Sequence, residues 1–95
     1  VFVAGADADL AAIKDIVAGR QQFEVLKDIA PLAKTAARLA YQLARNEKTK
    51  EGVLIPNGAY QVRSVATPVY PVTKETLEER VLRSGFHSRQ AVYGR

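Results

Sequence analysis

The first 27 residues, VFVAGADADLAAIKDIVAGRQQFEVLK, place one stretch of helical periodicity between two apolar runs. Val1 to Ala4 is a continuous apolar run, the pattern of a strand covered on both faces. Leu10, Ile13, Ile16 and Val17 then recur at helical spacing, with Asp9 suited to the N-cap and Gly19 to the stop. Phe23 to Leu26 reads as a second strand. Strand, helix and strand within so short a span make a βαβ unit, so the strands are expected to be parallel and the crossover right-handed. The fold class that follows is α/β.

A second helix is expected in DIAPLAKTAARLAYQLARNEKTKEG, with Pro31 at its first position and Leu32, Ala36, Leu39 and Leu43 along one apolar stripe. Asn46 to Gly52 is polar and reads as a surface loop. Beyond it, Asn57-Gly58 signals a turn and Tyr60 to Ala66 a strand. Pro68 and Pro71 argue against a regular central strand, so Thr67 to Pro71 is expected to be an extended connector. A last helix follows, capped by Thr73, stapled by Val72 and Leu77, and ended at Gly85.

Asp7 falls just past the first expected strand and Lys27 directly follows the second. In an open parallel sheet, ligands bind beyond the carboxyl ends of the strands. Neighbouring strands lie about 4.8 Å apart, so an acid and a base at those ends can overlook one crevice. An ionised Asp accepts hydrogen bonds and a Lys donates them, which together match a ligand whose hydroxyls do both, such as a monosaccharide. The competing reading makes Asp7 a helix cap or a partner of turn amides, and Lys27 a solvated lysine at a strand end. GADAD lacks the GxGxxG of a dinucleotide site.

Other residues offer less. His87, the single histidine, has no acid or cysteine close in sequence and reads as a surface or satisfied side chain. Ser84 and Ser88 lie near it without a nucleophile elbow. The four tyrosines are dispersed, which suits packing rather than base stacking. Glu78-Glu79 stand among Arg80 and Arg83 as a solvated charged face. No catalytic group, metal ligand set or cofactor site emerges, and the chain reads as a non-enzyme. Without cysteine it has no disulfide and no thiolate metal site. The net charge of +4 is scattered, so nucleic acid is not an expected partner; a basic helical module on nucleic acid would bind with steep salt dependence. The chain opens on Val inside an apolar run, and is expected to be a fragment of a longer protein.

GADADLAAIKDIVAGRQQFEVLKDIAPLAKTAA, the NG and TPV of the connector, and VTKETLEERVLRSGFHS together resemble the C-terminal part of the periplasmic sugar-binding proteins. These are the solute receptors of ABC importers, and the similarity is to their D-xylose-binding members. The resemblance runs over nearly the whole chain and is weakest between Asn46 and Tyr60. It implies that the acid of DADLA and the lysine that ends the second strand, Asp7 and Lys27, both bond the sugar. The family carries Gln before that acid where this chain has Ala6.

The resemblance further implies an incomplete type I periplasmic-binding-protein fold spanning parts of two lobes. Residues 1–27 would belong to the C-terminal lobe, 28–66 to the N-terminal lobe, and 67–95 would return through the hinge and place a helix on the C-terminal lobe. The implied ligand is xylose or a similar pentose, delivered by hinge closure to an ABC permease from a periplasmic or other extracytoplasmic location, secreted or lipid-anchored. The upstream part of the receptor, as a missing or separate chain, is an implied partner. A sugar-sensing subunit of a membrane sensor kinase and a sugar-responsive repressor core are the alternatives.

Overall fold

The computed structural model describes residues 1–94; Arg95, the last position of the third expected segment, lies outside the described residues. The chain divides into two compact units, one built from Val1–Asp28 and Val69–Arg95 and the other from Ile29–Pro68.

The first unit contains β1 (Ala4–Ala6), α1 (Leu10–Val17) and β2 (Phe23–Lys27), then β5 (Val69–Val72), a π-helical segment (Glu78–Arg83) and α3 (Arg89–Tyr93). β1 and β2 pair in parallel, as the βαβ pattern requires, with Ala4 opposite Phe23 and Ala6 opposite Val25. α1 starts where expected, since an Asp9 side-chain oxygen accepts a hydrogen bond from the Ala12 amide at 2.8 Å. Its inner face supplies Ile13 and Ile16, which join Ala8, Leu26, Val72, Leu77, Val81 and Val92 in one buried cluster. Each large side chain in such a cluster contributes about 1.5–3 kcal/mol of burial.

Three expectations for this unit are corrected. The first strand begins at Ala4 rather than Val1, and Val1 to Val3 are exposed rather than covered on both faces. The reason is local: Val3 receives the Gln22 amide at its carbonyl (3.0 Å) and gives its own amide to the Gln22 side chain (2.8 Å), so a side chain substitutes for the next ladder bond. The expected connector instead forms β5, antiparallel to β2, with Pro71 opposite Val25. The strand order β1-β2-β5 puts β5 at the edge, where a proline without an N–H is tolerated.

The last expected helix is the π-helical segment Glu78–Arg83, preceded by turns, and Thr73 does not cap it by its side chain. Instead the Thr76 hydroxyl accepts from the Thr73 amide at 2.9 Å. Val72 and Leu77 do both enter the core, as the staple spacing implies. α3, capped by Ser88 onto the Ala91 amide at 3.0 Å, was not anticipated.

The second unit holds α2 (Ile29–Ala44) and a hairpin of β3 (Val53–Asn57) and β4 (Tyr60–Ser64). α2 begins two residues before Pro31, which sits harmlessly in the first turn because amides there have no intrahelical partner. The hairpin closes through Gly58 and Ala59; Gly58 takes φ +64° at the first central position, as a type II′ turn demands. β4 stops at Ser64, two residues short of the expected Ala66. Leu32, Ala36, Leu39 and Leu43 line an open cleft of about 320 Å³ with Val65 and Thr67, so the expected stripe exists but is only partly covered. None of the helix or hairpin residues in this unit is buried. Arg38 of α2 and Glu51 form a two-pronged ion pair, with the second Arg38 nitrogen 2.8 Å from the other Glu51 oxygen.

Two tests follow from this contrast. Ile13 has no exposure, so Ile13→Ala should lower unfolding stability by about 2–5 kcal/mol in urea denaturation. The hydrogen bond from Arg38 holds the Glu51 carboxyl below its ordinary range, opposed by desolvation and helped by the Coulomb attraction. A depressed folded-state pKa means that the pair's small contribution is full above the ordinary carboxylate range and is lost as pH falls through the folded value. Amide exchange in the hairpin should therefore quicken in acid beyond its intrinsic pH trend, and Glu51→Gln should abolish that excess.

Candidate functional site

The parallel register brings the ends of β1 and β2 side by side, and there the Lys27 ammonium lies 2.9 Å from Asp7 Oδ1. Both side chains are more than half exposed, at 57% for Lys27 and 72% for Asp7. β5 reaches the same end, with Val69 opposite Lys27. An acceptor and a donor are thus presented together to solvent at the carboxyl end of a parallel pair. Capping of α1 belongs to Asp9 and not to Asp7. The carboxylate of Asp7 accepts and the ammonium offers up to three N–H groups, a combination complementary to vicinal hydroxyls.

The backbone that carries Asp7 is unusual. Asp7 and Ala8 have φ of +85° and +52°, two consecutive non-glycine residues in the left-handed region. Their polar groups are held from three sides. The Asp7 amide donates to the Val25 carbonyl at 2.8 Å, continuing the strand pairing by one residue. The Ala8 amide donates to Glu24 Oε2 at 2.8 Å, and the Ala8 carbonyl lies 2.9 Å from His87 Nε2. Ala8 itself is fully buried, so water cannot replace these partners.

Glu24 was not singled out by sequence reasoning. It is 2% exposed, and its second oxygen accepts from the Gln21 side-chain amide. Gly5, its partner in the register, makes room for it: a Cβ at Gly5 would lie 2.0 Å from Glu24 Oε1. The available signal was an acid at an inward position of a short strand, beside a glycine in the facing one. His87 is a satisfied histidine, as read, and Phe86 meets its ring edge-on at 4.7 Å between centroids. Among the described residues no three His, Cys, Asp or Glu side chains gather as a metal site, and no helix is long and apolar enough to cross a membrane.

Over nearly its whole length the chain is similar to part of the D-xylose-binding periplasmic proteins. It is 40% identical over 93 residues to the D-xylose-binding periplasmic protein of Haemophilus influenzae, covering 98% of this chain and 28% of that protein. The D-xylose-binding periplasmic protein of Escherichia coli is 41% identical over 88 residues, covering 92% of this chain and 26% of its own.

Among solved structures, a carbohydrate transporter solute-binding protein from Chloroflexus aurantiacus, in complex with D-glucose, matches with a TM-score of 0.88 and 30% identity, covering 95% of this chain and 26% of that one. An ABC transporter solute-binding protein from Clostridium phytofermentans, with bound β-D-glucose, matches with a TM-score of 0.86 at 20% identity, covering 96% and 29%, a likeness of fold alone. No family model matches. The chain therefore has the mixed α/β fold of these solute-binding proteins and spans about a quarter of the length of the curated relatives it matches. Those relatives are named as binding proteins, none as an enzyme.

Because both charges are well exposed, their ion pair adds little to folding. Asp7→Asn and Lys27→Met should each change unfolding stability by less than about 1 kcal/mol in urea denaturation.

Proposed function

We propose that this chain is the C-terminal portion of an extracytoplasmic sugar receptor that delivers a monosaccharide, xylose or a similar pentose, to an ABC importer. The observation that carries the reading is the Asp7–Lys27 pair at the open ends of β1 and β2. In this reading the Asp7 carboxylate accepts from adjacent sugar hydroxyls while Lys27 donates to another. Hydrogen bonds to charged partners contribute about 1.5–3 kcal/mol each, and a sugar's hydroxyl pairs repay both groups for lost water. The preference for a pentose rests on the names of the curated relatives; the solved neighbours hold glucose, a hexose with one more carbon.

The lobe assignment is part of the same proposal. Residues 1–27 and 67–95 form the C-terminal lobe with its hinge return, and 28–66 form part of the N-terminal lobe. The division of the chain after Asp28 and after Pro68 supports this. So does the exposure of Leu32, Leu54 and Ile55 in the second unit, an apolar surface suited to the upstream part of the receptor. Lys27 then stands beside a hinge strand, and contacts that the sugar makes only in the closed state shift the open–closed equilibrium that the permease reads.

Calorimetric titration of the receptor, produced whole from its own gene, with D-xylose, D-ribose and D-glucose tests the proposal. Pentose binding is expected, weakened roughly ten- to hundredfold by Asp7→Ala and again by Lys27→Ala. Absence of binding by all three sugars, or affinity untouched by both substitutions, would sink it.

A further inference from the structure

We propose that Glu24 and His87 are positioning residues for the sugar contact of Asp7, holding the Asp7–Ala8 turn in the left-handed conformation that aims the Asp7 carboxylate at Lys27. This rests on the reading of Asp7 as a ligand residue. Two successive non-glycine residues at positive φ are disfavoured for an isolated chain, so the surroundings must impose that geometry. Start of α1 does not explain it, because Asp9 performs the capping alone. What imposes it is the pair of bonds on buried Ala8, its amide to Glu24 at 2.8 Å and its carbonyl to His87 at 2.9 Å.

Glu24 can reach Ala8 only because two neighbours cooperate. Gly5 leaves the space that a Cβ would fill, with contacts of 2.0 Å to Oε1 and 3.1 Å to the carboxyl carbon. Gln21 donates to Oε1 and to the Phe23 carbonyl, which orients the carboxylate with Oε2 toward Ala8. Both oxygens then accept from N–H donors, the pattern of an ionised carboxylate. His87 arrives from 79 residues away in sequence, so the returning end of the chain also sets the turn. The φ of Asp7 fixes its Cα–Cβ direction; relaxing it to the negative region swings the carboxylate off Lys27. Positioning of a contact by buried supports of this kind is how binding geometry is held within fractions of an ångström.

The test combines sugar titration with NMR of the whole receptor, following the Ala8 amide and the Asp7 carboxyl carbon. Glu24→Ala is expected to move both resonances and weaken pentose binding roughly tenfold or more, while Glu24→Gln, which retains an acceptor for the Ala8 amide, stays within about threefold of the unsubstituted protein. Gly5→Ala, which leaves Glu24 in place but takes its space, should reproduce the loss. His87→Phe, at a half-buried position and similar in volume, is expected to shift the same resonances and weaken binding if Glu24→Ala does not fold.

Unchanged affinity and unchanged resonances in Gly5→Ala and His87→Phe would overturn the proposal, as would loss in Glu24→Gln equal to that in Glu24→Ala. If the unsubstituted receptor binds no sugar, the reading of Asp7 as a sugar ligand fails, and the resonances alone decide whether Glu24 and His87 hold the turn.

Discussion

A buried carboxylate facing a glycine is the constraint around which the first unit is arranged. Glu24 is 2% exposed in the middle strand of its sheet, and removing an ionised group from water costs several kcal/mol unless its oxygens find donors. It finds them in the Ala8 amide and the Gln21 side chain. Those two bonds tie the turn after β1 to the turn before β2, so both ends of the crossover helix are referred to one side chain. Gly5 is the permissive half of the arrangement, since a side chain there would collide with the acid.

From that fixed point the chemistry at the strand ends follows. The register Ala6 opposite Val25, extended by the Asp7 amide on the Val25 carbonyl, sets Asp7 beside Lys27 without either being buried. An exposed pair is poorly suited to hold a fold together and well suited to exchange its partner for a polar ligand, because solvent already shares its charge. Burial and exposure are thus divided between two carboxylates: Glu24, inside, bonds the Ala8 amide, and Asp7, outside, presents a charge.

The two units differ in how they use apolar residues. In the first, Ile13, Ile16, Leu26, Val72 and Val81 are sealed together from both ends of the chain. In the second, α2 has a well-formed apolar stripe, yet its helix and hairpin bury no residue. A helix and a two-stranded hairpin are too few layers to cover each other, and an isolated hairpin is marginal in water.

What the amino-acid order determined by itself was local. Periodicity at Leu10, Ile13 and Ile16, the Asp9 cap, the apolar stripe of α2 and the turn at Gly58 each depend on residues within a few positions of one another. The spacing of Asp7 and Lys27 was legible for the same reason, since a βαβ unit forces two strand ends together. Tertiary structure decided the rest. That β1 starts at Ala4 depends on Gln22 replacing a ladder bond, that a segment holding Pro71 becomes β5 depends on a free edge beside β2, and that Ala8 turns left-handed depends on Glu24 and a histidine 79 residues on. Each of these is settled by where a backbone donor or acceptor finds its partner, and pairing across such distances leaves no periodic trace in the sequence.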